Sequence, residues 1–201
     1  IFNNTGQTCS AWSRAIVLND SKDQFEEKLI ELFDYYKVGM PEDPETKVGP
    51  LSSQKQYDKV TKYIEKGRNE ARVLIENEQD LPEKGYFVHP IVFADVDNSS
   101  EIAQEEIFGP VLSVIYVDSV EEAIKTANDV IYGLSGAVFG EPEEAYRVAK
   151  EVKSGTVTVN DANPPAGVPF GGYKMSGNGR EGGVEGLEEY LETKTMPIVH
   201  E

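Results

Sequence analysis

The stretch VLSVIYVDSVEEAIKTANDVIYGLSGAVFGEPEEAYRVAKEVKSGTVTV, residues 111–159, decides the fold class. Val111 to Val117 is rich in β-branched and aromatic residues and reads as a strand. Ser119 and Glu122 have the spacing of a capping box, which opens a helix over 119–129. Beyond Gly133, residues 134–139 read as a second strand and 142–152 as a helix with Pro142 near its first turn. Gly155 then leads into a third strand, Thr156 to Val159. Strands joined by helices of this length form parallel sheets through right-handed crossovers, so the expected class is α/β, a mostly parallel sheet flanked by helices. Ligands of such sheets sit beyond the strand carboxyl ends, which makes the loop after Val159 a candidate site.

Toward the N-terminus, Lys22 to Tyr36 places Phe25, Leu29, Leu32 and Phe33 at helical spacing, and Gly39-Met40-Pro41 closes it. Gln54 to Gly67 repeats the pattern with Tyr57, Val60, Tyr63 and Ile64, entered through a Ser53/Gln56 capping box. Residues 73–75 and 87–93 read as further strands. Toward the C-terminus, eight of the 18 glycines fall within 167–186. Gly177-Asn-Gly-Arg-Glu-Gly182 there fits G-x-G-x-x-G, but a dinucleotide fingerprint must leave a strand and open a helix, with an acidic residue about 20 positions on. Lys174-Met-Ser176 precedes it and the sequence closes soon after, so it reads as a structural loop of tight turns.

The 201 residues carry 19 Lys+Arg against 36 Asp+Glu, a net charge of −17, with mean hydropathy −0.44. That field repels phosphate backbones and anionic lipids, so neither nucleic acid nor membrane is an expected partner. No apolar run approaches the roughly 20 residues of a membrane helix, and IFNNTGQTCSAWSR has neither a basic n-region nor an apolar h-region. The expected location is the cytoplasm. A single cysteine, Cys9, makes no internal disulfide, and with only His89 and His200 beside it no metal site is expected. The sequons at Asn3, Asn19 and Asn98 then read as chance matches.

Two constellations carry chemistry. Cys9 lies in a polar, Gly-containing turn just before Ala11, Trp12, Ala15 and Ile16, which have helical spacing. A thiol at such a helix start would have its thiolate stabilised by the dipole and free N–H groups, making it a nucleophile. A buried structural thiol, a silent cysteine in an assembly scaffold and a Cys/His pair with His89 are the alternatives on the residues alone. Glu105-Glu-Ile-Phe-Gly-Pro110 reads as a helix end and turn, yet an acid and an aromatic ring two apart can also accept from ribose hydroxyls while packing on a flat heterocycle.

Phe2-Asn-Asn-Thr-Gly-Gln-Thr-Cys9, Glu105-Glu-Ile-Phe-Gly-Pro110 and Pro169-Phe-Gly-Gly-Tyr-Lys-Met-Ser-Gly177, in this order and spacing, resemble the aldehyde dehydrogenase superfamily. Gly49-Pro-Leu51 and Gly85-Tyr-Phe-Val-His-Pro-Ile-Val-Phe93 fall where that family has similar segments. The resemblance implies a catalytic domain over 1–190 and a C-terminal oligomerisation segment, ending early, over 191–201. By it Cys9 attacks a small-molecule aldehyde to give a thiohemiacetal, whose hydride passes to NAD or NADP, leaving a thioester that water hydrolyses to the acid. It assigns Glu106 to the nicotinamide ribose, Phe108 to the nicotinamide, Gln56 and Lys59 to further cofactor contacts and Phe170 to the substrate. It also implies a homo-oligomer, dimer or tetramer, for the full-length enzyme. Family members carry, before the cysteine, a nucleotide-binding domain, an oxyanion-hole asparagine and a water-activating glutamate. Eight residues precede Cys9 and none matches those roles, so the expectation is that the chain alone is inactive.

Overall fold

The computed structural model describes residues 1–199; His200 and Glu201, the end of the expected 191–201 segment, lie outside the described residues. The chain forms two compact units, Ile1–Val130 and Ile131 onward, within what the sequence suggests as one domain over 1–190. In chain order the first unit holds β1 (Arg14–Leu18), α1 (Lys22–Phe33), α2 (Gln54–Glu70), β2 (Arg72–Glu76), β3 (Ile91–Ala94), α3 (Glu101–Gln104), β4 (Val111–Val117) and α4 (Val120–Asn128). Its sheet has the order β1-β4-β3-β2. β4 runs parallel to both β1 and β3, and only the edge strand β2 is antiparallel. The mostly parallel α/β architecture is therefore present.

Near-continuous apolar strands signal burial on both faces. Ile91, Phe93, Val111, Ile115 and Val117 pack on one face with Val60 and Ile64 of α2 and Ile102 and Ala103 of α3. Val92, Ala94, Leu112 and Val114 pack on the other with Phe33 of α1, Phe2, Val38 and Val48. Ser53 caps α2 as expected, its hydroxyl accepting from the Gln56 N–H at 3.2 Å. Ser119 caps α4 likewise, and Glu122 Oε2 accepts from the Asp118 N–H at 2.9 Å. β3 begins at Ile91 rather than 87, because Pro90 has no N–H for a ladder and the first such bond runs from Ile91 N–H to Pro110 O. Among the described residues no helix is long and apolar enough to cross a membrane.

The second unit contains β5 (Ser135–Val138), α5 (Pro142–Glu151), β6 (Thr156–Val159) and α6 (Gly183–Glu188). β5 and β6 pair in parallel across α5, as the sequence suggests. The strand at 111–117, however, does not share their sheet: both edges of β4 are already taken by β1 and β3. The pair is extended at its end by Asn160, whose amide exchanges two 2.9 Å hydrogen bonds with the Gly140 backbone. Gly177 to Gly182 follows a 3-10 turn, Lys174–Ser176, and no strand, in keeping with a structural loop.

A polar network ties α1 to the sheet. Tyr116 donates to Glu26 at 2.6 Å, Arg72 bridges Glu26 and Asp95 at 2.6 Å each, and Lys22 reaches Asp95 at 2.5 Å. The Lys22 and Arg72 bonds hold the Asp95 carboxyl below its ordinary range. Burial pushes Glu26 up, but bonds from Tyr116 and Arg72 outweigh it and leave it lowered. Carboxylates depressed in this way favour the folded state above their ordinary values near about 4 and lose that contribution as pH falls through the folded ones. Asp95→Asn is expected to lower the urea midpoint at pH 7, with the gap to the parent closing below about pH 4; a gap independent of pH would contradict the assignment.

Gly67 sits where α2 crosses β3, and a Cβ there would lie 2.5 Å from Cε2 and Cζ of Phe93. Helix propensity favours alanine by at most about 1 kcal/mol. The fully buried Phe93 ring has no room to swing aside, and overpacking of this kind costs about 1–3 kcal/mol. Gly67→Ala should therefore lose stability in urea unfolding, and an unchanged or higher midpoint would show that the ring yields.

Candidate active site

Cys9 sits in a turn closed by the Ala11 N–H donating to Thr8 O at 3.0 Å, and its thiol side is exposed. The chain then enters β1, so the helix start expected after Cys9 is absent and no helix dipole reaches the sulfur from this segment. The β-branched run Ile16-Val17 and in-register pairing of Arg14 to Leu18 with Ser113 to Val117 override the helical spacing. Exposure also removes the buried-thiol alternative.

The residues before Cys9 take an unusual backbone path. Asn4, Thr5 and Gly6 are all left-handed, with φ of 51, 58 and 72°. For β-branched Thr5 this is a strained conformation that persists only where the surroundings over-determine it. Thr5 is 2% exposed and its hydroxyl donates to Gly49 O at 3.1 Å. Gln7 reaches the same segment: Oε1 accepts from the Ser52 N–H at 2.8 Å and Nε2 donates to Pro50 O at 3.3 Å. Gly6 lies directly against Gly109, whose carbonyl oxygen would be 2.0 Å from a Cβ at position 6.

That contact joins two of the sequence motifs. Beyond α3, Ile107 is 3% exposed and anchors the Glu105–Pro110 loop in the core. On either side of it Glu106 is exposed and Phe108 half-buried, an acid and a ring two residues apart. Phe108 is itself left-handed, with φ of 60°. Gly109 rests on α2, where a Cβ would come within 2.6 Å of Val60 Cγ2.

Gln56 and Lys59 meet this loop through its backbone. Gln56 Nε2 donates to Ile107 O at 3.0 Å and Phe108 O at 2.8 Å, and Lys59 Nζ donates to Glu106 O at 2.5 Å. The capping-box reading missed this: the Gln56 amide reaches across to the loop instead of back to its own helix start. Lys59, Lys62, Lys66, Asp58, Tyr63 and Glu101 line a groove alongside. Phe170 belongs to the second unit, where it exchanges two 2.7 Å backbone bonds with Glu181. Sequence reasoning did not single out Thr5, Gln7 or Gly109, and it read Val60 only as part of the apolar helix face. Thr5, Gln7 and Gly109 lay inside quoted motifs, but nothing in residue type alone showed that their work is to join one segment to another.

The sequence profile of the aldehyde dehydrogenase family matches residues 1–196. The chain belongs to this family. A Staphylococcus aureus protein named as an aldehyde dehydrogenase without a stated substrate is 48% identical over 200 residues, 98% of this chain and 42% of the relative. The betaine aldehyde dehydrogenase of Staphylococcus aureus, solved with NAD+, is 44% identical with a TM-score of 0.89, covering 96% of this chain and 39% of that one. A cysteine-to-alanine variant of aldehyde dehydrogenase C from Pseudomonas syringae, solved with NAD+ and octanal, is 41% identical with a TM-score of 0.90, covering 96% and 41%. The chain thus spans about two fifths of the length of these relatives. Its Phe2–Cys9 and Glu105–Pro110 motifs lie in one unit, packed backbone to backbone at Gly6 and Gly109. Gly6→Ala combines a left-handed φ with the 2.0 Å approach to Gly109 and is expected to lose about 2–5 kcal/mol in urea unfolding; a variant as stable as the parent would refute this packing.

Proposed function

We propose that the full-length protein oxidises a small-molecule aldehyde to its carboxylic acid with NAD or NADP, and that this chain supplies the nucleophile and the nicotinamide side of the cofactor site. The observation that carries the reading is an exposed Cys9 whose turn is locked, through Gly6 and Gly109, to the loop presenting Glu106 and Phe108. The residues fit a nicotinamide riboside: Glu106 offers solvent-facing carboxylate oxygens to hydroxyl donors, and Phe108 offers a partly open ring for a flat heterocycle. Complexes of relatives with NAD+ and the cysteine-to-alanine variant crystallised with octanal support it.

In this reading the Cys9 thiolate adds to the aldehyde carbon, and the carbonyl electron pair moves onto oxygen. The Cys9 backbone N–H donates to that oxyanion, where one preorganised donor is worth about 3 kcal/mol. When bound, the nicotinamide supplies the acceptor for the hydride leaving the thiohemiacetal carbon. Cys9 is then the leaving group as water hydrolyses the thioester, which suits a thiolate. Phe170 keeps the role of a ring beside the substrate. No residue of this chain matches the family's water-activating glutamate, so the 201 residues alone are assigned no turnover.

The full-length protein is read as a cytoplasmic homo-oligomer, dimer or tetramer. The exposed Leu191, Met196, Ile198 and Val199 support a role for the 191–201 segment in assembly, and the single free cysteine supports the location. In the full-length protein Cys9→Ala is expected to cut aldehyde-dependent NADH or NADPH formation at least about 10³-fold with an unchanged circular dichroism spectrum. The 201-residue chain should give no steady-state reduction of NAD+ or NADP+. Normal turnover by the variant would overturn the nucleophile assignment, and turnover by the chain alone would overturn its assigned lack of activity.

A further inference from the structure

We propose that Gln56 is a positioning residue, holding the Glu106–Phe108 loop in its left-handed form, with Lys59 as a second prop. This rests on the reading above only for its purpose, the presentation of Glu106 and Phe108; the mechanics stand on geometry. Phe108, at φ 60°, occupies a conformation that residues with a side chain avoid. The carbonyls of Ile107 and Phe108 belong to the two peptide planes that flank the Phe108 Cα. Both accept from the one Gln56 Nε2, at 3.0 and 2.8 Å. Pinning both planes to one amide fixes φ and ψ at the residue between them.

The amide is itself well placed to act as an anchor. It leaves the first turn of α2, whose start is set by the Ser53 cap and by the Ser52 N–H bond to Gln7. One turn further on, Lys59 holds the carbonyl of Glu106, so the two side chains grip three consecutive carbonyls from one helix face. On the far side Gly109 lies against Val60 of the same helix. Released from Gln56, Phe108 would be free to return to negative φ, which turns its ring and swings the carboxylate two residues before it. Gln56 would then serve the cofactor by holding the loop that presents Glu106 and Phe108 to it.

The test is made on the 201-residue chain without cofactor, by solution NMR. Backbone couplings and Cα shifts report the φ of Phe108 in the parent, in Gln56→Met, which keeps the length but has no donor, and in Gln56→Glu, which faces carboxylate oxygens toward the carbonyls. Both variants are expected to lose the left-handed signature at Phe108 while shifts of β1, β3 and β4 stay in place. Lys59→Met, a change at a half-buried side chain, should move Glu106 shifts and leave Phe108 left-handed, and the conservative Gln56→Glu carries the test of Gln56 if Gln56→Met folds poorly. A Phe108 that keeps positive φ in both Gln56 variants would overturn the proposal, as would Glu106 shifts unmoved by Lys59→Met. A purely structural Gln56 would lower the urea midpoint without moving the Phe108 signature. The cofactor reading is tested apart from this, by the NAD+ affinity of Glu106→Gln in the full-length protein.

Discussion

The tightest constraint in the first unit is the contact of the Gly6 backbone with the carbonyl of Gly109, closer than any side chain at position 6 would allow. From it follow the path of the chain on both sides. Upstream, Asn4 and Thr5 turn left-handed to bring Gly6 in; downstream, the turn at Thr8 to Ala11 delivers Cys9 to the surface and Arg14 to the edge of β4. On the other side of the contact, Gly109 lies on Val60 of α2, and the Pro110 carbonyl accepts the first ladder bond of β3. Cys9, the Glu106–Phe108 loop, helix and sheet register are therefore set at one point.

Such a turn is stable only because it is supported from several directions. Left-handed Asn4 and Thr5 cost of order 1–3 kcal/mol each. Against that stand the Thr5 bond to Gly49 and the two Gln7 bonds to Pro50 and Ser52, each a net gain of about 1 kcal/mol. The two sides nearly cancel, and burial of Thr5 and Phe2 tips the balance. The arrangement separates duties: the groups that hold the turn are buried or half-buried and bonded, while Cys9, the proposed nucleophile, is exposed. Glu106 and Phe108 follow the same rule, flanking a buried Ile107.

Much of the fold was legible because it is local. The helices from Lys22 and Gln54, the caps at Ser53 and Ser119, the strand at 111–117 and the β5-α5-β6 unit all follow from periodicity and turn chemistry. What was not legible depends on partners distant in sequence. Ala11, Trp12, Ala15 and Ile16 have helical spacing, yet 14–18 is a strand because β4 offers a parallel edge. Residues 111–159 looked like one continuous sheet and are divided because β1, ninety-odd residues earlier, had taken the edge that 135–138 would need. In the site, the motifs marked Cys9, Glu106 and Phe108, but a glutamine three residues after a cap says nothing of the loop fifty residues on that it grips.

Charge shows the same division between composition and placement. A net −17 argues against long polyanions, whose binding needs cations spread over many phosphates. It says less about a small anionic ligand, because screening confines each charge to about 8–10 Å and local groups decide. α2 carries Lys55, Lys59, Lys62 and Lys66 at intervals of four, three and four residues, a single stripe along one helix face. Lys66 is held by Glu101, whose hydrogen bond raises its pKa, and Lys59 by the Glu106 carbonyl, so the stripe is fixed and charged where it meets the loop. A net acidic sequence and a lysine stripe beside the Glu106–Phe108 loop are thus compatible, and it is this stripe, with Asp58 and Glu101 alongside, that a small anionic ligand at the loop would encounter.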